Sequence, residues 1–216
     1  MKGYKRVLLG IFLFLASYLS VGYFLHLIVF PEIKPDVENY FQPGDVISSE
    51  VGGTTITVER QEGEHLHVTL EVAPQAEGPP LHVHTGFEEV FNIESGRITL
   101  RVNGEEKVLE AGETFTVPPG TAHKPYNPFD EPTVISGVTM PAQFVVYLNQ
   151  AYGYLEEDPE IPRRLRLFSR WRCSTSISIP ISGEGPPVFV QKVQNFLLLP
   201  LARLMGYRSY YNKYRI

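Results

Sequence analysis

Cysteine is nearly missing from this chain. Among 216 residues there is one, Cys173. An intrachain disulfide is therefore excluded, and so is a zinc site built from several thiolates. We read the lone thiol as an inert packed side chain. A basic excess is missing too, since 19 Lys and Arg stand against 24 Asp and Glu, a formal net charge of −5. Phosphate recognition needs a basic footprint, so nucleic acid is not an expected partner. What the chain does have is turn-formers, with 18 Gly and 18 Pro beside many Val, Ile, Thr and Phe. That mixture favours many short strands over long helices, in a length that allows one sizeable domain with appendages.

The first thirty residues are a different kind of sequence. Val7 to Phe30 contains no Asp, Glu, Lys or Arg, and His26 is its one side chain of a type that titrates near neutral pH. As a helix this run would be about 36 Å long, enough to cross a hydrocarbon core of about 30 Å. Lys2, Lys5 and Arg6 precede it, and Glu32, Asp36 and Glu38 follow. By the positive-inside rule the N-terminus stays in the cytoplasm and the remainder lies outside, in a periplasmic or extracellular space. A cleaved signal peptide is the rival reading. Its apolar region would run to about 7–15 residues, and this one continues past Ala16, Ser17 and Gly22. Length favours an uncleaved single-pass anchor over residues 1–30. His26 reads as a tolerated polar residue near the far interface.

Residues 31–43 carry three prolines and alternate charge with polarity, as an extended linker does. Beyond them, Thr54–Glu59, His65–Val72, Glu89–Ile93, Arg97–Val102, Glu113–Val117 and Thr133–Thr139 each fit a strand, with turn residues between most of them. Asn103-Gly104 is a hairpin signal. Short strands at this spacing imply an all-β sandwich or barrel. After Met140, AQFVVYLNQAYGYLEE repeats its apolar residues at helical spacing, predicting an amphipathic helix on the outside of the barrel. The stretch RRLRLFSRWR suits either anionic lipid headgroups or a solvated helix face. The segment PPVFVQKVQNFLLLPLARLMGY is apolar but interrupted by Lys192, Asn195, Pro200 and Arg203. An interfacial helix, or one packed on the barrel, suits it better than a second span. The aromatic, basic tail RSYYNKYRI would sit well at a membrane surface.

The chemistry concentrates in residues 78–127. His82 and His84 stand two apart, which on a strand places both imidazoles on one face about 6.5 Å apart. Glu89 opens the next strand, and His123 follows the turn Pro118-Pro119-Gly120. Three neutral nitrogens and one carboxylate suit Fe, Mn, Co, Ni, Cu or Zn without choosing among them. An octahedral ion on four such ligands keeps two open positions, the condition for chemistry rather than a purely structural metal. A His-x-His pair alone is weak, and the chain supplies its own control. His65 and His67 repeat the spacing, but alternate with Leu66, Val68 and Leu70, so they are expected to face outward. Glu88, next to Glu89, is expected on the solvated side.

At these residues the chain resembles the cupin superfamily, in particular its small single-domain bacterial members. HVHTGFEEVFNIESG carries the first motif as His82, His84, Glu89 and Gly96. The second motif, G-x5-P-x-G-x2-H-x3-N, is complete as Gly112, Pro118, Gly120, His123 and Asn127. Gly78 lies closer to the histidine pair than the family's glycine usually does, which concerns only a loop. The resemblance spans roughly 44–142, leaving 143–216 as a C-terminal helical extension. It implies an all-β fold, a single jelly-roll (double-stranded β-helix) barrel enclosing one divalent metal ion on His82, His84, Glu89 and His123. It leaves a homodimer through the barrel open.

Two function classes follow. An oxygenase or isomerase would hold a small metal-chelating substrate, with Glu89 as the catalytic base. A binding or sensing module would use the same barrel to hold a small ligand. Phe91, Phe115 and Tyr126 are candidate pocket-lining residues, with core packing as the plainer alternative.

Overall fold

The computed structural model describes residues 2–28, 33, 35–157, 181–183, 185–204 and 210–216. Cys173 and the RRLRLFSRWR stretch lie outside the described residues, as do the side chain of His26, part of the 31–43 segment and the start of the aromatic tail. Helix α1 spans Lys2–Ile28. Ten strands follow, β1 (Val46–Ser49), β2 (Thr54–Glu62), β3 (His65–Val72), β4 (His82–Val83), β5 (Glu89–Ser95), β6 (Arg97–Val102), β7 (Glu105–Glu110), β8 (Thr114–Val117), β9 (His123–Tyr126) and β10 (Thr133–Pro141). Then come α2 (Ala142–Glu157), a short β11 (Ile181–Ser182) and α3 (Val188–Leu204).

The strands pair antiparallel into two sheets, ordered β1-β2-β3-β10-β5-β8 and β11-β4-β9-β6-β7. Their crossovers carry neighbours in sequence to opposite sheets, and this is the jelly-roll barrel. Period-two alternation builds the interior. On β3, Leu66, Val68 and Leu70 point inward and are buried, against Val58 and Ile56 of β2. Phe91, Ile93, Ile98, Leu100, Val117 and Ile135 fill the remainder, each contributing about 1.5–3 kcal/mol by leaving water. Asn103 and Gly104 both take positive φ, 51° and 91°, as the turn between β6 and β7 demands. Gly96 has no room for a side chain, since a Cβ there would stand 2.2 Å from the Pro132 carbonyl oxygen.

The predicted strands all form, along with five that the alternation pattern did not single out, β1, β4, β7, β9 and β11. Two expectations change. The segment read as linker ends in Tyr40 and Phe41, both buried in the core, so its second half belongs to the folded body. Helix α2 forms as expected, but Phe144, Val145 and Val146 are core residues rather than an outer coat. Helix α3 packs on α1, through a hydrogen bond from the Tyr18 hydroxyl to the Leu197 carbonyl (2.8 Å) and the Tyr23–Phe196 ring contact. Residues 210–216 clasp α2. Asn149 donates to the Tyr214 carbonyl, the Tyr211 amide donates to Gln150 Oε1, and Tyr210 donates to the Tyr40 hydroxyl.

Candidate metal centre

Strand pairing assembles the site. In one sheet β4 pairs with β9 so that His82 lies directly opposite His123. Glu89 comes from the facing sheet, where it heads β5 opposite Val117 of β8. His84 follows β4, and the Gly120 amide donates to its carbonyl at 2.6 Å, fixing the Pro-Gly turn against the histidine pair. The four residues thus bridge both sheets. One ligand atom from each of His82, His84, Glu89 and His123 lies within 4.8 Å of the others.

The second ring nitrogens fix the tautomers. His82 Nδ1 is 2.9 Å from the Pro80 carbonyl oxygen, and His123 Nδ1 is 2.9 Å from that of Thr121. A carbonyl only accepts, so each Nδ1 carries a proton, which turns Nε2 toward the cluster. This is the orientation that ligating imidazoles take from their outer partners. His123 Nε2 donates to Glu89 Oε2 at 2.8 Å. His84 Nε2 is 3.2 Å from the same oxygen, but not aligned as a hydrogen bond. Among the described residues neither nitrogen of the buried His84 has a hydrogen-bond partner. Such an orphan costs about 1–3 kcal/mol, and an ion among the four donors would satisfy it. The donor set and this orphan both fit a divalent transition metal.

The charges are mutually set. Burial depresses His82 to about 4, more than the Glu89 charge can restore. Burial pushes the Glu89 carboxyl up, but the His123 hydrogen bond and the neighbouring His84 and His82 outweigh it. The group is held well below the usual carboxylate range. His123 balances the other way, its burial overcome by the bond and charge of Glu89, so its pKa is raised. The site therefore contains a fixed anion at Glu89, a neutral His82 and an imidazolium at His123, whose Nε2 proton an ion would displace.

Aromatic rings wall the cluster. His84 lies against Phe87 (centroids 4.4 Å) and Phe144 (4.9 Å), the latter reaching over from α2. Phe144 in turn contacts Phe87 and Tyr147. Tyr152 on α2 is pushed up to about 12, by burial and then by the Glu89 charge. These α2 residues were missed by sequence reasoning, because a helical apolar stripe says that something is covered without saying what. The rings singled out from sequence go elsewhere. Phe91 is a core filler, Phe115 is half-buried beneath Lys107, and Tyr126 is capped by Lys124. His65 is exposed, and His67 sits beside Thr139 and Glu62, as the alternation predicts. Glu88 is exposed.

A family model described as "Cupin domain" matches residues 68–140. Among solved structures, KdgF from Halomonas sp. is 21% identical, with 45% of this chain and 86% of that chain covered and a TM-score of 0.39. TT1209 from Thermus thermophilus is 24% identical over 51% of this chain and 98% of that chain, with a TM-score of 0.38. A protein described as a sugar phosphate isomerase from a cupin superfamily, from Silicibacter pomeroyi, is 18% identical over 50% of this chain and 75% of that chain, with a TM-score of 0.37. No curated protein matches the chain.

Proposed function

For a chain that carries a cupin domain at residues 68–140, we propose that the barrel holds one divalent transition-metal ion and acts on a small substrate that chelates it. The ligands are His82, His84, Glu89 and His123. The observation that carries this reading is the buried His84, without a hydrogen-bond partner among three further donors. When bound, the ion supplies Lewis acidity, polarising substrate oxygens at its open positions.

The chain's own residues do the rest. Glu89 stays ionised and would balance the ion's charge; its Oε2 faces His123 and His84, and its Oε1 is the atom assigned to take a proton from a substrate hydroxyl acidified by the ion. Pro80 and Thr121 hold the His82 and His123 rings in their tautomers. Phe87 and Phe144 exclude water beside His84 and favour a substrate with an apolar face. This assignment makes the protein an oxygenase or isomerase of the cupin type.

A non-catalytic ligand-binding module is the second reading. It is favoured by one observation: among the described residues, the charged groups that perturb His82, Glu89 and His123 all belong to the same four-residue cluster. Full-length protein loaded in turn with Fe, Mn, Co, Ni, Cu and Zn, then offered catechols, flavonols and diketones, separates the two. Turnover supports the enzyme. Saturable binding with no turnover under any metal supports the module, and absence of metal uptake defeats both.

The location belongs to the same proposal. Helix α1 contains a run, Gly3–Phe24, long and apolar enough to cross a membrane, with Leu8, Phe12, Phe14 and Phe24 exposed. Lys2, Lys5 and Arg6 at the start of α1 and Glu32, Asp36 and Glu38 beyond it support an N-terminus in the cytoplasm and a barrel outside. Protease added to spheroplasts should cut the chain within residues 31–43. Cleavage only after lysis would reverse the topology.

A further inference from the structure

We infer that α3 is a second membrane element, docked on α1 and lying in the bilayer with an apolar face toward lipid. This rests on the reading of α1 as a membrane anchor and extends it to a segment more than 150 residues away. Three observations carry it. First, α3 has two unlike faces. Phe189, Val193, Phe196, Leu197 and Leu201 recur at three- and four-residue intervals and are exposed, Phe189 to 75%. Gln191, Lys192, Gln194 and Asn195 occupy the other side. Second, the apolar face runs without a break into α1. Pro200 is buried against Gly22 so closely that a Cβ on Gly22 would lie 2.1 Å from Pro200 Cβ. Tyr18 and Tyr23 of α1 reach Leu197 and Phe196. A small residue at a helix crossing is how helices approach closely within lipid. Third, the polar face is tied to the barrel at Gln191. Gln191 accepts from the Ser182 amide and donates to the Ser182 and Pro186 carbonyls. The barrel side of α3 is thereby defined, leaving the apolar side for lipid.

The contacts on α1 fall at Tyr18–Tyr23, near the end of the apolar run that leads to the barrel. At 17 residues and about 25 Å, with Lys192 in its first half, α3 suits the interfacial layer of the leaflet on the barrel side. It also fixes which part of the barrel faces the membrane. Ser182 of β11 pairs with His82 of β4, and the Gly183 amide donates to the Leu81 carbonyl. The strand edge carrying the first metal ligand is thus held beside the lipid surface.

Full-length protein with Cys173→Ser and a single new cysteine, carrying an environment-sensitive fluorophore, tests this in phosphatidylcholine–phosphatidylglycerol vesicles. Reporters at Phe12→Cys, Val193→Cys and Lys192→Cys are quenched from lipid by spin-labelled acyl chains and from water by iodide. The expected result is strong lipid quenching at positions 12 and 193, several-fold above that at 192. Lipid quenching at 12 with iodide quenching at 193 leaves the anchor standing and overturns the role of α3. Shielding of 193 from both quenchers assigns the face to a second copy of the chain and also overturns it. Water exposure at all three positions defeats the anchor reading, and this inference with it.

Discussion

Two His-x-His pairs lie on neighbouring stretches of this chain and meet opposite fates. His65 and His67 sit on β3 with Leu66, Val68 and Leu70 on the inward face, so the imidazoles look out. His67 spends its nitrogens on Thr139 and on Glu62 at the barrel surface. His82 and His84 have the same spacing, but there the histidines take the inward face. They meet a carboxylate from the other sheet and a third imidazole from β9. Spacing makes two rings share a face. Which face it is depends on the residues between and on what the opposite sheet presents. Val83 is itself buried, so the inward turn of His82 and His84 is not forced by alternation alone. The pairing of His82 with His123 and the tie from Gly120 to His84 decide it.

The sharpest break of that comparison is His84→Ala. It should lower metal affinity by more than about 100-fold, above the 10–100-fold that loss of an outer partner costs, while leaving the barrel folded. Elemental analysis and thermal unfolding of the variant check both halves. Glu89→Gln keeps shape and removes the anion, so affinity should fall on the order of 100-fold. Any base-dependent turnover should fall further than metal occupancy does, which titration alongside activity would show. A third effect comes from pH. His123 is raised above its ordinary 6.5 by Glu89, and an ion must displace that proton. Affinity should therefore be level above the raised value and fall by about tenfold per pH unit below it. A competitive chelator titration from pH 8 downward (roughly two units is enough) would read this, and a flat profile would contradict it. Smallest is His67→Ala. Like other surface substitutions it should cost under about 1 kcal/mol and leave metal content unchanged. Loss of metal there, with retention in His84→Ala, would reverse the assignment of the two pairs.

Much of this was legible in the sequence. Strands with alternating burial announced themselves, and so did the motif spacing that brings His82, His84, Glu89 and His123 to one place. β4 was legible only through its histidines, being two residues long. What stayed hidden was contact between segments far apart in the chain. The apolar stripe of α2 identified a covered face, yet nothing local says that Phe144 covers His84. The interruptions in α3 argued against a second span, and left an interfacial helix or one packed on the barrel as the readings. Its partner α1 became visible only once Gly22 and Pro200 were seen together. Tyr40 and Phe41 sat in a proline-rich, charged stretch whose composition outweighed two aromatic residues.

The Tyr210–Tyr40 contact has a consequence in time. It joins residues 170 apart in the chain, while β2–β3 and β6–β7 are hairpins whose partners are close neighbours. Lengthening a closed loop adds little cost, about 0.6 kcal/mol per doubling, so the clasp is cheap to hold. It is slow to find, because contacts distant in sequence form late. The β2–β3 and β6–β7 hairpins are expected to pair first, and the tail to pin α2 and its Phe144 in place afterwards. On that order His84 stays open to solvent until Phe144 is fixed beside it. Pulsed hydrogen exchange during refolding should protect the β2–β3 and β6–β7 hairpin amides before the Tyr211 amide that donates to Gln150.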